Sequence, residues 1–169
     1  SSTVDQKEQL ICLPGSHSKW VRVSCGNVIA FSTYMTGETY EAVRKNTILS
    51  KTLEPDAWSE EAFMSGVQYS KTNKNILSQL FHVRTQILFH ELSTDESTSF
   101  ISGLLIGHEL KSALQNSHGL KIHLIGDMAL TKIYGDAISE FGRTVIQVDT
   151  DIVTAGYYAL LKQIAEHVE

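Results

Sequence analysis

The chain is poor in the features that mark disulfide scaffolds, membrane proteins and nucleic-acid binders. It has two cysteines, Cys12 and Cys25, in 169 residues. On the neighbouring strands expected below they fall well out of register, so both read as reduced thiols of a cytoplasmic protein. No block rich in Lys and Arg occurs and the net charge is −5, which argues against a nucleic-acid surface. The longest apolar stretch, around residues 100–106, is far too short to span a bilayer. No signal-peptide pattern opens the chain, and no internal repeat or low-complexity tract is visible. Proline is scarce, and Pro55 marks a loop over 47–58.

What is present is a globular composition, 42% apolar and 20% charged, in a chain long enough for one domain with a proper core. The sequence starts at Ser1 without a methionine and enters an expected strand within about ten residues. It therefore reads as the later part of a longer protein, with residues 1–169 as a single C-terminal domain and an N-terminal domain absent from the chain.

Apolar, β-branched runs predict strands over 9–13, 19–24 and 28–34, the last two joined by a tight turn at Gly26-Asn27. A helix is expected from about 39 to 46, with Glu38 and Glu41 near its start and Arg44 and Lys45 at its end, as the helix dipole favours. The stretch from about 56 to 116 reads as a helical insertion. Its stripes are Ala62, Phe63, Gly66, Val67, then Ile76, Leu77, Leu80, Phe81, Arg84, Ile87, Leu88. Ser93-Thr94-Asp95-Glu96 is a capping box opening a helix with Phe100, Ile101, Leu104, Leu105 and His108 on its inner face. The end alternates: strand 120–125, turn Gly126-Asp127, helix 128–141 stopped by Gly142, strand 145–148, turn 149–155, and a last helix through Tyr158, Leu161 and Ile164.

The order β-β-β-α, helical insertion, β-α-β-α predicts an α/β domain with a five-stranded mixed sheet. The carboxyl ends of the first, third, fourth and fifth strands then share one edge, where ligands of such sheets bind. The 13–20 loop, Leu-Pro-Gly-Ser-His-Ser-Lys-Trp, falls on that edge. Gly15, Ser16, His17, Ser18 and Lys19 offer freed amides, two hydroxyls, an imidazole and an ammonium with no bulky side chain in the way. A phosphate needs such donors at close range; an ordinary polar hairpin tip has the same composition.

The 13–20 motif, followed by Phe31-Ser32-Thr33-Tyr34-Met35-Thr36-Gly37-Glu38, closely resembles the 2-dehydro-3-deoxygalactonokinases. Further matches are Leu80-Phe81-His82-Val83-Arg84 and Ser102-Gly103-Leu104-Leu105-Ile106-Gly107, and the resemblance extends over nearly the whole chain. The family more often has Thr at the position of Ser16; both supply a hydroxyl. The resemblance implies a ribonuclease-H-like domain of the actin-like ATPase superfamily. It implies phosphoryl transfer from ATP, with Mg²⁺, to the 6-hydroxyl of 2-dehydro-3-deoxy-D-galactonate. Residues 15–19 would then be the second phosphate loop, and Gly126 and Asp127 the adenosine motif, where glycine leaves room for the nucleotide at a helix start. The catalytic base and the sugar site would lie on the absent N-terminal domain, so no base is assigned here. Expected partners are ATP, a small sugar acid and that domain; a homo-oligomer stays open. Two alternatives stand beside this: a non-catalytic actin-like nucleotide module, and a kinase for another sugar acid.

Each candidate also has a plain structural reading. Lys19 is a phosphate-binding charge or a solvated lysine at a strand start, and His17 a ligand or a local hydrogen-bonding group. No Gly-x-Ser-x-Gly elbow surrounds Ser16 or Ser18, which disfavours a hydrolase. Glu38 is a first-turn helix acid, or borders the cleft with Thr36 and Gly37. Asp127 can simply cap its helix. His90-Glu91 and His108-Glu109 lack the second His of a zinc helix, and Arg84 reads as snorkelling or pairing structurally.

Overall fold

Five strands form one mixed sheet in the order β3-β2-β1-β4-β5. The computed structural model describes residues 8–53, 58–72 and 74–148. β1 (Gln9–Leu13), β2 (Ser18–Ser24) and β3 (Asn27–Tyr34) are an antiparallel meander. β4 (Lys121–Ile125) and β5 (Val145–Val148) add in parallel beside β1. The expected turn 149–155 and the last helix lie outside the described residues.

The β2–β3 turn sits one residue earlier than Gly26-Asn27. Cys25 and Gly26 carry positive φ angles of 49° and 77°, the two-residue geometry that matches strand twist, and Asn27 already pairs with Ser24. Cys12 is buried and Cys25 exposed, both as free thiols.

Alternation in the strands decides which face is covered. Leu10 and Cys12 of β1, Trp20 of β2, and Ile122 and Leu124 of β4 all face one cluster and are at most 5% exposed. Fully burying an aliphatic or aromatic side chain contributes about 1.5–3 kcal/mol. The cover is built from α2 (Glu60–Ser70), α4 (Thr94–Ala113) and α5 (Met128–Glu140), through Phe63, Val67, Ile106, Leu110, Tyr134 and Ile138. Part of the region read as an insertion therefore covers the sheet. Its outer side, with α1 (Thr36–Asn46) and α3 (Ile76–Leu88), forms a second cluster around Val43, Leu49, Val83, Ile87, Phe100, Ile101 and Leu104. A 3-10 turn, Ile48–Lys51, interrupts the expected 47–58 loop.

α4 is the element with core on both sides, and this explains why a one-sided inner face describes it poorly. It crosses α2 with the backbones nearly touching. A Cβ on Gly66 would come 2.1 Å from the Phe100 carbonyl oxygen, and one on Gly103 1.9 Å from that of Phe63. The helix starts are chemically marked. Ser59 accepts from the Ala62 amide and Asn75 from the Leu77 amide. Ser93 and Glu96 form the expected capping box. Among the described residues no helix is long and apolar enough to cross a membrane.

Candidate functional site

β1, β3, β4 and β5 run in one direction, so the segments leaving their carboxyl ends meet at one sheet edge. The first is the loop after Leu13, which pairs with Lys19 across the hairpin. Gly15 is half-buried, while Ser16, His17 and Lys19 are exposed. The Lys19 ammonium folds back and donates to the His17 carbonyl at 2.7 Å, so its charge stays at the loop.

The second segment differs from the expectation of a helix beginning at 39. α1 begins at Thr36, making Thr36, Gly37 and Glu38 its first turn, with Met35 at the cap and no side-chain cap bond. Early helix amides lack intrahelical partners and look outward. The Glu38 amide finds the Ser16 carbonyl at 3.1 Å. His17 Nε2 and Glu38 Oε2 make an exposed pair across the same seam. The loop thus rests on the start of α1, with Gly37 as the contact. A Cβ there would lie 2.8 Å from Ser16 Cα and 2.9 Å from the Gly15 carbonyl oxygen.

The third segment is Gly126-Asp127. Gly126 has φ +156°, a region that side chains rarely adopt, and stands near Pro14. Asp127 Oδ1 accepts from the amides of Ala129 (3.0 Å) and Leu130 (3.2 Å), capping α5. Beside the first and second segments lies a cavity of about 260 Å³, lined by Gly15 of the loop, Gly37 and Tyr40 of α1, Trp58, and Leu130 and Tyr134 of α5.

Ser18 departs from the expectation. It is the first residue of β2 and fully buried, and its hydroxyl points inward, donating to Glu109 Oε1 at 2.7 Å. The open tip of the loop therefore carries one free-facing hydroxyl, that of Ser16. Trp20 Nε1 donates to the same Glu109 oxygen at 2.7 Å, and Tyr134 Oη donates to Oε2 at 2.9 Å. Glu109 is 3% exposed, and these three donors are all neutral. Burial first, then the Glu109 charge, pushes the Cys12 thiol and the Tyr134 hydroxyl well above their usual ranges. Reading His108-Glu109 only for zinc spacing misses this carboxylate. The available signal was an acid three and four residues after Ile106 and Leu105 in an apolar run, where a charge must find partners.

His82, His90, His108 and Arg84 have local roles. His82 meets the Thr85 hydroxyl, and His90 takes a positive φ of 59° just past the end of α3. His108 Nε2 meets the Gln79 side-chain oxygen. Arg84 donates to the Ile48 carbonyl at 3.4 Å. Among the described residues no group of three or more His, Cys, Asp or Glu is arranged to hold a metal ion.

A family profile described as 2-keto-3-deoxy-galactonokinase matches residues 2–160. The chain is 36% identical over 161 residues to a Rhizobium meliloti (strain 1021) protein named "Probable 2-dehydro-3-deoxygalactonokinase DgoK1", covering 92% of this chain and 53% of that protein. It is 32% identical over 160 residues to the 2-dehydro-3-deoxygalactonokinase of Escherichia coli (strain K12), covering 94% and 54%. A crystal structure from Sinorhizobium meliloti, described as a 2-dehydro-3-deoxygalactonokinase protein, matches with TM-score 0.87 at 34% identity, over 95% of this chain and 56% of that one. The chain spans about half the length of the curated relatives it matches. With nearly all of its residues matched and the same fold in a solved relative, the chain belongs to the 2-keto-3-deoxy-galactonokinase family.

Proposed function

We propose that this chain is the ATP-binding lobe of a sugar-acid kinase that phosphorylates the 6-hydroxyl of 2-dehydro-3-deoxy-D-galactonate. The observation that carries the reading is the meeting of the 14–17 loop with the first turn of α1, beside a cavity that both of them and α5 line. The strand order and directions suit a ribonuclease-H-like domain. A cytoplasmic setting, where ATP is at hand, goes with this reading.

In this reading the amides of Ser16 and His17, the Ser16 hydroxyl and the Lys19 ammonium hold phosphate oxygens, while the first turn of α1 adds a positive dipole end. Ser18 is left out because its hydroxyl is committed to Glu109. The nucleoside side points toward Gly126, where a side chain would crowd its approach, and Asp127 keeps α5 capped beside it. The carboxylates near the loop are occupied, Glu38 by His17 and Asp127 by the α5 amides. Mg²⁺ is therefore assigned to the phosphates of ATP, where it neutralises charge during transfer. The residues described here hold and orient; catalysis of this kind is mostly positioning and charge stabilisation. The base and the sugar contacts are assigned to the part of the relatives' length that this chain does not match.

Isothermal titration of the complete protein with a non-hydrolysable ATP analogue tests the reading. Binding is expected, weakened about tenfold by Lys19→Ala through loss of one charged phosphate contact. A folded protein that takes up no nucleotide would overturn it.

A further inference from the structure

Glu109 is a buried carboxylate, 3% exposed, and its three donors come from two different elements. Ser18 and Trp20 of β2 share Oε1; Tyr134 of α5 takes Oε2. Ser18 directly follows the loop residue His17, and Tyr134 lines the same cavity as Gly15. A buried carboxylate held only by neutral donors is a poor way to gain stability, since an apolar side chain of similar size avoids its desolvation. What it supplies is geometry. Two oxygens on one rigid plane fix the distance between the strand that carries the loop and the helix that walls the cavity.

We propose that Glu109 is a positioning residue that clips the phosphate-side strand β2 to the cavity-side helix α5, setting the span that ATP must fit. This rests on the ATP-site reading above. In this proposal Glu109 acts through Ser18 and Tyr134, whose hydroxyls it holds, and not by binding substrate.

The test uses Glu109→Gln, Ser18→Ala and Tyr134→Phe in the complete protein, with steady-state kinetics for both substrates and thermal midpoints. In Glu109→Gln the amide oxygen still accepts from Ser18 and Trp20, but the amide nitrogen then faces Tyr134, whose hydroxyl loses the carboxylate and keeps only its neighbour Ser18. KM for ATP is expected to rise about tenfold, with KM for the sugar acid within about twofold of the original. Ser18→Ala and Tyr134→Phe each give part of that rise. Their double variant falls short of the product of the two effects, because both hydroxyls act through one carboxylate and also meet each other. If Glu109→Gln does not fold, Ser18→Ala, which removes a single donor, reads the same split. A folded variant with unchanged KM for ATP overturns the proposal. So does a parallel rise of both Michaelis constants that tracks the fall in thermal midpoint, since that is a merely structural node. Failure of the unaltered protein to bind or use ATP would instead overturn the functional reading on which the proposal rests.

Discussion

A methyl group at residue 37 has nowhere to go. Its two nearest neighbours, Ser16 Cα and the Gly15 carbonyl, are backbone and cannot swing aside, so the loop itself must shift. Gly37→Ala is therefore expected to raise KM for ATP by on the order of tenfold, because small displacements of positioning groups are costly. The stability loss should be about 1–3 kcal/mol. Kinetics and urea denaturation of the complete protein check both, and an unchanged KM would contradict the contact's role. Gly15, Ser16 and His17 were legible as an open polar tip, because glycine and short polar residues between two apolar runs leave few other readings. Ser18 was not. Sequence adjacency groups it with the tip, but strand alternation turns its side chain to the face opposite Lys19, toward a carboxylate 91 residues away. No local pattern encodes that pairing.

Between elements, the tightest fit is the α2–α4 crossing. Gly66→Ala or Gly103→Ala drives a carbon into a backbone carbonyl of the other helix. Each is expected to cost about 3 kcal/mol, read as a lower denaturation midpoint. A stability change within experimental error would contradict the packing. The capping box of α4 and the Gly142 stop of α5, at φ 69°, were readable because they depend on a few adjacent residues. α1 begins three residues before the start its sequence suggests, since its first turn is held by the 14–17 loop and not by a side-chain cap. The α3–α4 contact carries a pH signature. Burial, then the Lys111 charge, lowers the pKa of His108 below 6.5, so the folded state favours the neutral ring. Below pH 6.5 the unfolded chain binds more protons at this site. Its share of stability is thus complete above that pH and lost as pH falls. Replacing His108 with Gln should flatten the decline in urea midpoint between neutral and mildly acidic pH; an equal slope in both proteins would refute it.

For the whole molecule, the five-strand mixed sheet followed from counting apolar runs and the helices between them, because crossover rules leave few topologies. What counting could not give was the double burial of α4, a property of two clusters assembled from distant segments. Because the chain spans about half of its relatives, residues 1–169 expressed alone are expected to give no transfer from ATP to 2-dehydro-3-deoxy-D-galactonate. A coupled assay that detects turnover by the purified chain would overturn the division of labour proposed here. The α2–α4 crossing also says how the molecule comes apart. Two helices in backbone contact, with an apolar cluster on either side, cannot part until both clusters open. Amide hydrogens in the middle of α4, around 100–107, should therefore be the last to exchange with solvent deuterium, and those of the exposed strands β3 and β5 among the first. Unfolding then proceeds inward from the two margins of the sheet, and the glycine-to-glycine seam is the final hold.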